Sequence, residues 1–350
     1  MTDPVIARYK PYYHELEGGK TYLWCACGRS QSQPFCDGSH RGTGILPVKY
    51  TAKAAGEEVL FCGCKHTADK PFCDGTHNNL KGIYDTDDPD APEYTHIPVV
   101  PAGSDAKARL DGGCFVCSVA DLATTTEGTL SWAPIITAAD GANHQAQFYF
   151  AVAPGRSPVI GFGDRHVVLL VTAGHGEIDI GGRRFAVGPN TGVYVRPGEL
   201  FQLRVKSALT AFVSTGPLAA APEWHPKMSN TFDPAHPERA VGIDEAKRQS
   251  MADRFFQMLV NKSVGSDLVT QFIGEIPLSK AVPHRHLYEE SLVVIKGEGF
   301  MWTENGKAAV NTGDVIFLPR KQLHSLECTD PGGMFVAGLI YPGDNPSINY

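Results

Sequence analysis

Two sets of thiols and imidazoles open this chain. The first reads Cys25-Ala26-Cys27, then Cys36-Asp37-Gly38-Ser39-His40. The second reads Cys62-Gly63-Cys64, then Cys73-Asp74-Gly75-Thr76-His77, so that every ligand-type residue recurs 37 positions later. Three thiols and one imidazole make a four-ligand set in each copy. Zinc accepts such a set, but two thiolates in C-x-C spacing are tight for one tetrahedral ion. A [2Fe–2S] cluster takes Cys25 and Cys27 on one iron and Cys36 with His40 on the other. Cys62, Cys64, Cys73 and His77 repeat the arrangement. Gly38 and Gly75 suit a turn passing close to a cluster, and Asp37 and Asp74 can cap that turn or orient the ligands. His66 reads as a polar loop residue. Far downstream a different set appears: His284-Arg285-His286, then Glu290, then His324. Residues two apart share one face of a strand, and three imidazoles with a carboxylate suit a mononuclear divalent metal: Fe(II) first, with Mn(II), Ni(II) or Zn(II) as alternatives.

The front motifs, including Ser30 with Pro34 and Thr67 with Pro71, resemble the CDGSH (mitoNEET-like) iron–sulfur family in both copies. The resemblance implies one [2Fe–2S] cluster per motif, and two clusters in a tandem pseudo-dimer. The downstream set resembles the cupin superfamily: His284, His286, Glu290 and Gly297 match its first motif, and Gly313, Pro319 and His324 match its second. Leu278, Lys321 and Cys328 stand where that pattern has Gly, Gly and Asn. The resemblance implies metal ligation by His284, His286, Glu290 and His324. Arg285 and Tyr288 are the candidate catalytic pocket residues, Arg285 for an anionic substrate, with Trp302 and Phe317 as further aromatic lining. Cys328 shares the strand parity of His324.

These ligands need rigid elements to hold them. From Cys114 onward, short apolar runs alternate with Gly and Pro, the texture of an all-β chain. Gly181-Gly182 and Asn305-Gly306 mark hairpins at equivalent places in two similar stretches. The expected fold is therefore mainly β: a small tandem CDGSH module followed by two cupin (double-stranded β-helix) barrels. Expected boundaries are 1–97 for the module, 98–112 for a linker, 113–220 for a first barrel, 221–260 for a connecting segment and 261–350 for a second barrel. The Asp- and Pro-rich texture of the linker region begins at Tyr84. Apolar Met251, Phe255, Met258 and Leu259 are spaced for a packing helix over Asp244 to Val260. In the first barrel Gly161, Gly163, Val167 and Gln202 occupy the ligand positions, so it is expected to be metal-free, with His166 facing away from its interior. Cys114 and Cys117 read as packed thiols.

Composition removes several classes. Net charge is -7, which offers no basic field to nucleic acid. No apolar run approaches the ~18 residues of a membrane helix, and Met1 to Lys10 has no signal-type core. A cytoplasmic protein is expected. Of nine cysteines, six lie between Cys25 and Cys73, a crowding that argues for ligation over disulfides. The leading expectation is a non-haem-iron oxidoreductase of oxygenase type. It would act on a small molecule, with the clusters as electron relay and a reductase or ferredoxin as donor. Alternatives are a Mn- or Zn-dependent hydrolase or isomerase with regulatory clusters, the layout of bicupins such as ureidoglycine aminohydrolase, and a redox- or iron-sensing ligand-binding protein. A homodimer is compatible with each.

Overall fold

The computed structural model describes residues 3–82, 85–343 and 345–350; Tyr84 lies outside the described residues. The fold is mainly β.

The front module is built on β1 (Tyr12–Leu16), β2 (Thr21–Trp24), β3 (Val48–Thr51) and β4 (Glu57–Phe61). The two copies exchange strands: β1 pairs with β4 and β2 with β3, so neither copy closes a sheet alone. Trp24 of the first copy is fully buried and donates its indole N–H to the Cys62 carbonyl of the second at 3.0 Å. Leu16, Val59 and Phe61 share its core, and burying a side chain such as Phe61 contributes about 2–3 kcal/mol.

The first barrel packs two sheets face to face. One orders the strands Ala240–Val241, Thr191–Val195, His166–Ala173, Leu209–Gly216, Ala146–Val152, Leu130–Ile136 and Thr125–Glu127. The other holds Arg183–Val187, Gly176–Ile180, Phe201–Val205, Val159–Gly161 and Glu223–His225. In Phe201–Val205 every second residue is buried, the period-two pattern of a strand with one face in a core. That core includes Phe148, Phe150, Phe162 and Phe201. The second barrel repeats the plan with Arg254–Val260, Thr270–Ile276, Met334–Tyr341, Glu289–Lys296 and Val315–Leu318 in one sheet. Lys307–Val310, Gly299–Trp302, Ser325–Cys328 and Ser279–Ala281 lie in the other.

The chain does not divide at the expected boundaries. Residues 98–112 are not a bare linker, because they contain the strand Lys107–Arg109. That strand pairs with Phe115–Cys117, which pairs with Val315–Leu318 of the second barrel. Phe115 to Cys117 thus extend the sheet of the second barrel, not the first. All three are buried, and a strand apolar on both faces needs partners on both faces. Val116 enters the second barrel's core, while Phe115 packs on Phe317 at 5.4 Å between the barrels. In the same way Thr86–Asp87 pairs with Ser279–Ala281 of the second barrel, and Glu223–His225 and Ala240–Val241 pair back into the first.

The expected helix over 244–260 is also replaced. A 3-10 turn at Glu245–Lys247 is followed by a hairpin, Gln249–Met251 with Arg254–Val260, turning at Ala252 and Asp253. A bulge between Met258 and Val260 shifts the alternation, which is how a strand acquired helical spacing. The adjacent Phe255 and Phe256 favour the pleated surface.

Leu170, Phe212, Ile273 and Val293 fill the seam between barrels. Glu289, 1% exposed, crosses that seam and accepts the backbone N–H groups of Asn143, His144 and Gln145 at 2.8, 3.0 and 3.1 Å.

Candidate functional site

His284 and His324 face each other across an isolated antiparallel bridge, each donating its backbone N–H to the other's carbonyl. His286 and Glu290 approach from the same side. His286, Glu290 and His324 converge, with their ligand atoms all within 4.8 Å of one another. His284 stands beside this trio, its ring centroid 4.5 Å from that of His324 and 6.5 Å from that of His286.

Each imidazole is held by the same device. Nδ1 of His284 lies 2.9 Å from the Val282 carbonyl, Nδ1 of His286 3.0 Å from that of Tyr288, and Nδ1 of His324 2.9 Å from that of Gln322. A carbonyl only accepts, so each Nδ1 carries the proton and each Nε2 presents a lone pair. Burial pushes the His284 imidazole down to about 3 and holds His324 well below its ordinary range. Both are therefore neutral donors. Nε2 of His286 is buried without a hydrogen-bond partner, yet sits 3.0 Å from a Glu290 carboxylate oxygen. A lone pair facing a carboxylate is unfavourable unless a cation lies between them, so the residues present fit a divalent metal.

Tyr288 is buried and stacks on His286 at 4.2 Å and 12°. It lines the cavity of about 110 Å³ that also borders His284, His286, Glu290 and His324. Arg285 does not line it. Successive residues of an extended segment point to opposite faces. The Arg285 guanidinium accordingly turns outward to donate Nε to the Lys321 carbonyl, and its backbone pairs with that of Tyr350. Trp302 and Phe317 are also displaced from the expected lining. Phe317 fills the seam between barrels. Trp302 donates its indole N–H to Glu327 and borders a neighbouring cavity of about 390 Å³ with Tyr94, Lys280 and His324. Cys328 packs in the barrel core. Lys321, standing where the cupin pattern has glycine, keeps the left-handed backbone with φ 63° and pairs its ammonium with Glu58 of the front module.

In the first barrel, Val167 belongs to the core and Gln202 donates to the Ser157 carbonyl. His166 stacks on Tyr194 and shares a 2.6 Å hydrogen bond with its hydroxyl, outside that core. Cys117 is buried in the seam, and burial pushes its thiol up to about 12.

The front motifs place their ligands in matched pairs. The Cys25 and Cys27 sulfurs are 3.7 Å apart, and Cys36 Sγ is 3.1 Å from His40 Nδ1. The corresponding distances are 3.5 Å for Cys62 and Cys64 and 3.4 Å for Cys73 with His77 Nδ1. Asp37 ties its turn together by accepting the N–H groups of Gln31 and Ser39, and Asp74 does the same for Ala68 and Thr76. His66 is exposed, with Nδ1 against the Cys64 carbonyl. Lys65 went unnoticed in the sequence. Its ammonium is buried, donates to the Cys62 carbonyl at 2.9 Å and lies 4.8 Å from the Trp24 ring. Burial pushes it down to about 8.

The two motifs differ in surroundings. Cys36 and His40 are half-exposed, whereas Cys73 and His77 are buried. The difference comes from the C-terminal tail, whose Ile348 packs on Leu60 and Cys73 while Tyr350 stacks on Tyr13 at 5.2 Å. Asn78 donates to the Ser347 carbonyl and Asn345 to the Asp74 carbonyl. Docked in this way, His77 shares one small cavity with Lys10, Val282, His284 and Asn349. His77 Nε2 is buried there without a hydrogen-bond partner.

The description "Iron-binding zinc finger CDGSH type" matches residues 7–41, "AraC-like ligand binding domain" matches 161–268, and "Cupin domain" matches 276–337. The mitochondrial CDGSH iron-sulfur domain-containing protein 3 of Mus musculus is 56% identical over 52 residues, covering 14% of this chain and 38% of that protein. Its Homo sapiens counterpart is 55% identical over 51 residues, covering 14% and 40%. The chain thus spans well under half the length of these relatives. Among solved structures, a Lactobacillus farciminis oxalate decarboxylase in complex with formate superposes with a TM-score of 0.53 at 10% identity, covering 66% of this chain and 87% of that one. Protein Ylba from E. coli gives 0.53 at 14% identity, covering 68% and 95%. A Bacillus subtilis oxalate decarboxylase gives 0.52 at 13% identity, covering 66% and 77%. At these identities the likeness is one of fold. Among the described residues, no helix is long and apolar enough to cross a membrane. The chain joins an N-terminal CDGSH-type module to a pair of cupin-fold barrels, the second of which brings together residues that fit a mononuclear metal.

Proposed function

We propose that this protein is a redox metalloenzyme in which the second cupin barrel oxidises a small molecule and the CDGSH module exchanges electrons with it. The observation that carries this reading is the cavity shared by His77 and His284, a ligand-type imidazole from each module. Fe(II) held by His284, His286, Glu290 and His324 would supply O₂ chemistry, and a [2Fe–2S] cluster held by each front motif would supply electrons one at a time.

The chain's own residues divide the work. Cys25, Cys27, Cys36 and His40 hold the first cluster, and Cys62, Cys64, Cys73 and His77 the second. Burial keeps His284 and His324 neutral, and His286, Glu290 and His324 converge where they would hold a divalent cation, with His284 beside them. Tyr288 positions His286 through its ring and its carbonyl. The half-exposed Cys36 and His40 leave the first motif accessible to an external donor such as a ferredoxin or reductase.

The test is a reductant-limited reoxidation. The full chain, with both metal types present, is reduced anaerobically and mixed with O₂ while the cluster absorbance is followed. The oxidised-cluster absorbance is expected to recover at least tenfold faster than in His286→Ala, which loses the cupin metal. Equal rates would remove the relay. A non-redox reading is kept because the same donor set takes Mn(II) or Zn(II) as a Lewis acid. Turnover under anaerobic conditions with Mn(II), indifferent to cluster oxidation state, selects that reading.

A further inference from the structure

The front module buries an ammonium in its core. Lys65 is 1% exposed, and its Nζ donates to the Cys62 carbonyl at 2.9 Å. Among the described residues it has no carboxylate partner; the groups that act most strongly on its charge are the thiols of Cys25, Cys62, Cys64 and Cys27, two from each motif. A buried cation is destabilising unless a negative group offsets it. The thiolate sides of the two motifs are the groups placed to do so.

Lys65 belongs to both copies by contact. It follows Cys64, and its backbone N–H donates to Cys62 Sγ at 3.3 Å. Its ammonium lies 4.8 Å from the ring of Trp24, the residue before Cys25, and 5.6 Å from that of Tyr12. Trp24 reaches the same Cys62 carbonyl from the first copy. The 37-residue repeat pairs Lys65 with Gly28. Both have left-handed backbone, φ 70° and 77°, a conformation that favours glycine. A Cβ on Gly28 would lie 1.7 Å from the Val5 carbonyl oxygen, so the first copy has no room for a matching side chain. The second copy holds a lysine in strained backbone, and this one cation faces two thiol pairs.

We propose that Lys65 is the shared counter-charge of the two front motifs and raises the reduction potential of the cluster held by each. A one-electron reduction adds one negative charge, and a fixed cation beside both C-x-C pairs favours the reduced form of both. This assignment rests on each front motif holding a [2Fe–2S] cluster and is independent of whether the cupin site receives the electrons.

The experiment is an anaerobic dithionite titration of the full chain in the presence of redox dyes, after iron and acid-labile sulfide have been counted. Visible absorbance follows the oxidised clusters and electron paramagnetic resonance the reduced ones. In Lys65→Met and Lys65→Gln the reduction equilibrium of both clusters is expected to move towards the oxidised form by roughly tenfold or more, a fall of about 59 mV for one electron. Gln keeps an N–H donor for the Cys62 carbonyl and so separates the charge from the hydrogen bond. Lys65→Arg is expected to stay within about threefold of the wild type, because it keeps the charge. Unchanged potentials in the neutral variants overturn the proposal, and so does a shift confined to one cluster. If the neutral variants assemble no clusters while Lys65→Arg does, the need for the charge is upheld. Failure of all three overturns it, since side-chain shape would then be decisive. A wild-type count of one cluster fails the two-cluster reading itself, before any potential is measured.

Discussion

His77 of the second CDGSH motif and His284 of the cupin ligand set line the same cavity. Its volume of about 20 Å³ is room for roughly one water. His77 points Nδ1 at Cys73 and has a buried Nε2 without a hydrogen-bond partner, while His284 is tied through Nδ1 to Val282, a wall of that cavity. The two modules therefore share a cavity lined by one candidate ligand side chain from each.

That contact depends on a few polar links. Asn78 to Ser347 and Asn345 to Asp74 each contribute about 1 kcal/mol. The double variant Asn78→Ala/Asn345→Ala is expected to lower amide protection of residues 73–82 and 345–350 by roughly tenfold or more in hydrogen exchange, with the first barrel unchanged. Unaltered protection would show that the front module is held by other contacts.

Neighbouring carboxylates have opposite duties. Glu290→Gln removes the charged ligand from the trio and is expected to weaken cupin metal binding by at least about 100-fold, with little change in the melting temperature of the metal-free chain. Elemental analysis against calorimetric affinity checks it.

Glu289→Ala strands three backbone N–H groups in a buried seam, at a cost of roughly 3 kcal/mol or more. A fall in Tm of about 5–10 °C is expected, with metal still bound by the folded fraction. A shift below about 2 °C would mean that water or another acceptor replaces the carboxylate.

Asp314 gives a pH-dependent prediction. Burial raises its carboxyl above the ordinary value, although it accepts the Asn311 N–H and the Ser118 hydroxyl. The folded state then holds its proton more tightly than the unfolded chain, so this group costs stability at neutral pH. The cost is relieved as pH falls through the raised value towards the ordinary one. Relative to Asp314→Asn, the wild type is expected to gain stability on acidification in that window, read from urea unfolding at matched pH values. A constant difference would contradict it.

Local spacing carried much of the chemistry. The 37-residue repeat displayed both thiol–imidazole sets, and the H-x-H spacing put His284 and His286 on one side because strands have period two. The hairpins at Gly181-Gly182 and near Asn305-Gly306 are likewise readable, because turn residues act through their own backbone. The helix expected over 244–260 failed where a bulge imitated helical spacing.

The sequence by itself determined which residues can ligate and that the chain is built from β elements, because ligand chemistry and side-chain alternation are local properties. Only the tertiary structure decided that β1 pairs with β4, that Phe115–Cys117 joins the second barrel, that Arg285 faces out, and that His77 and His284 line one cavity. Those outcomes follow from which distant sheet edges and apolar faces can cover one another, and no window of sequence contains both partners.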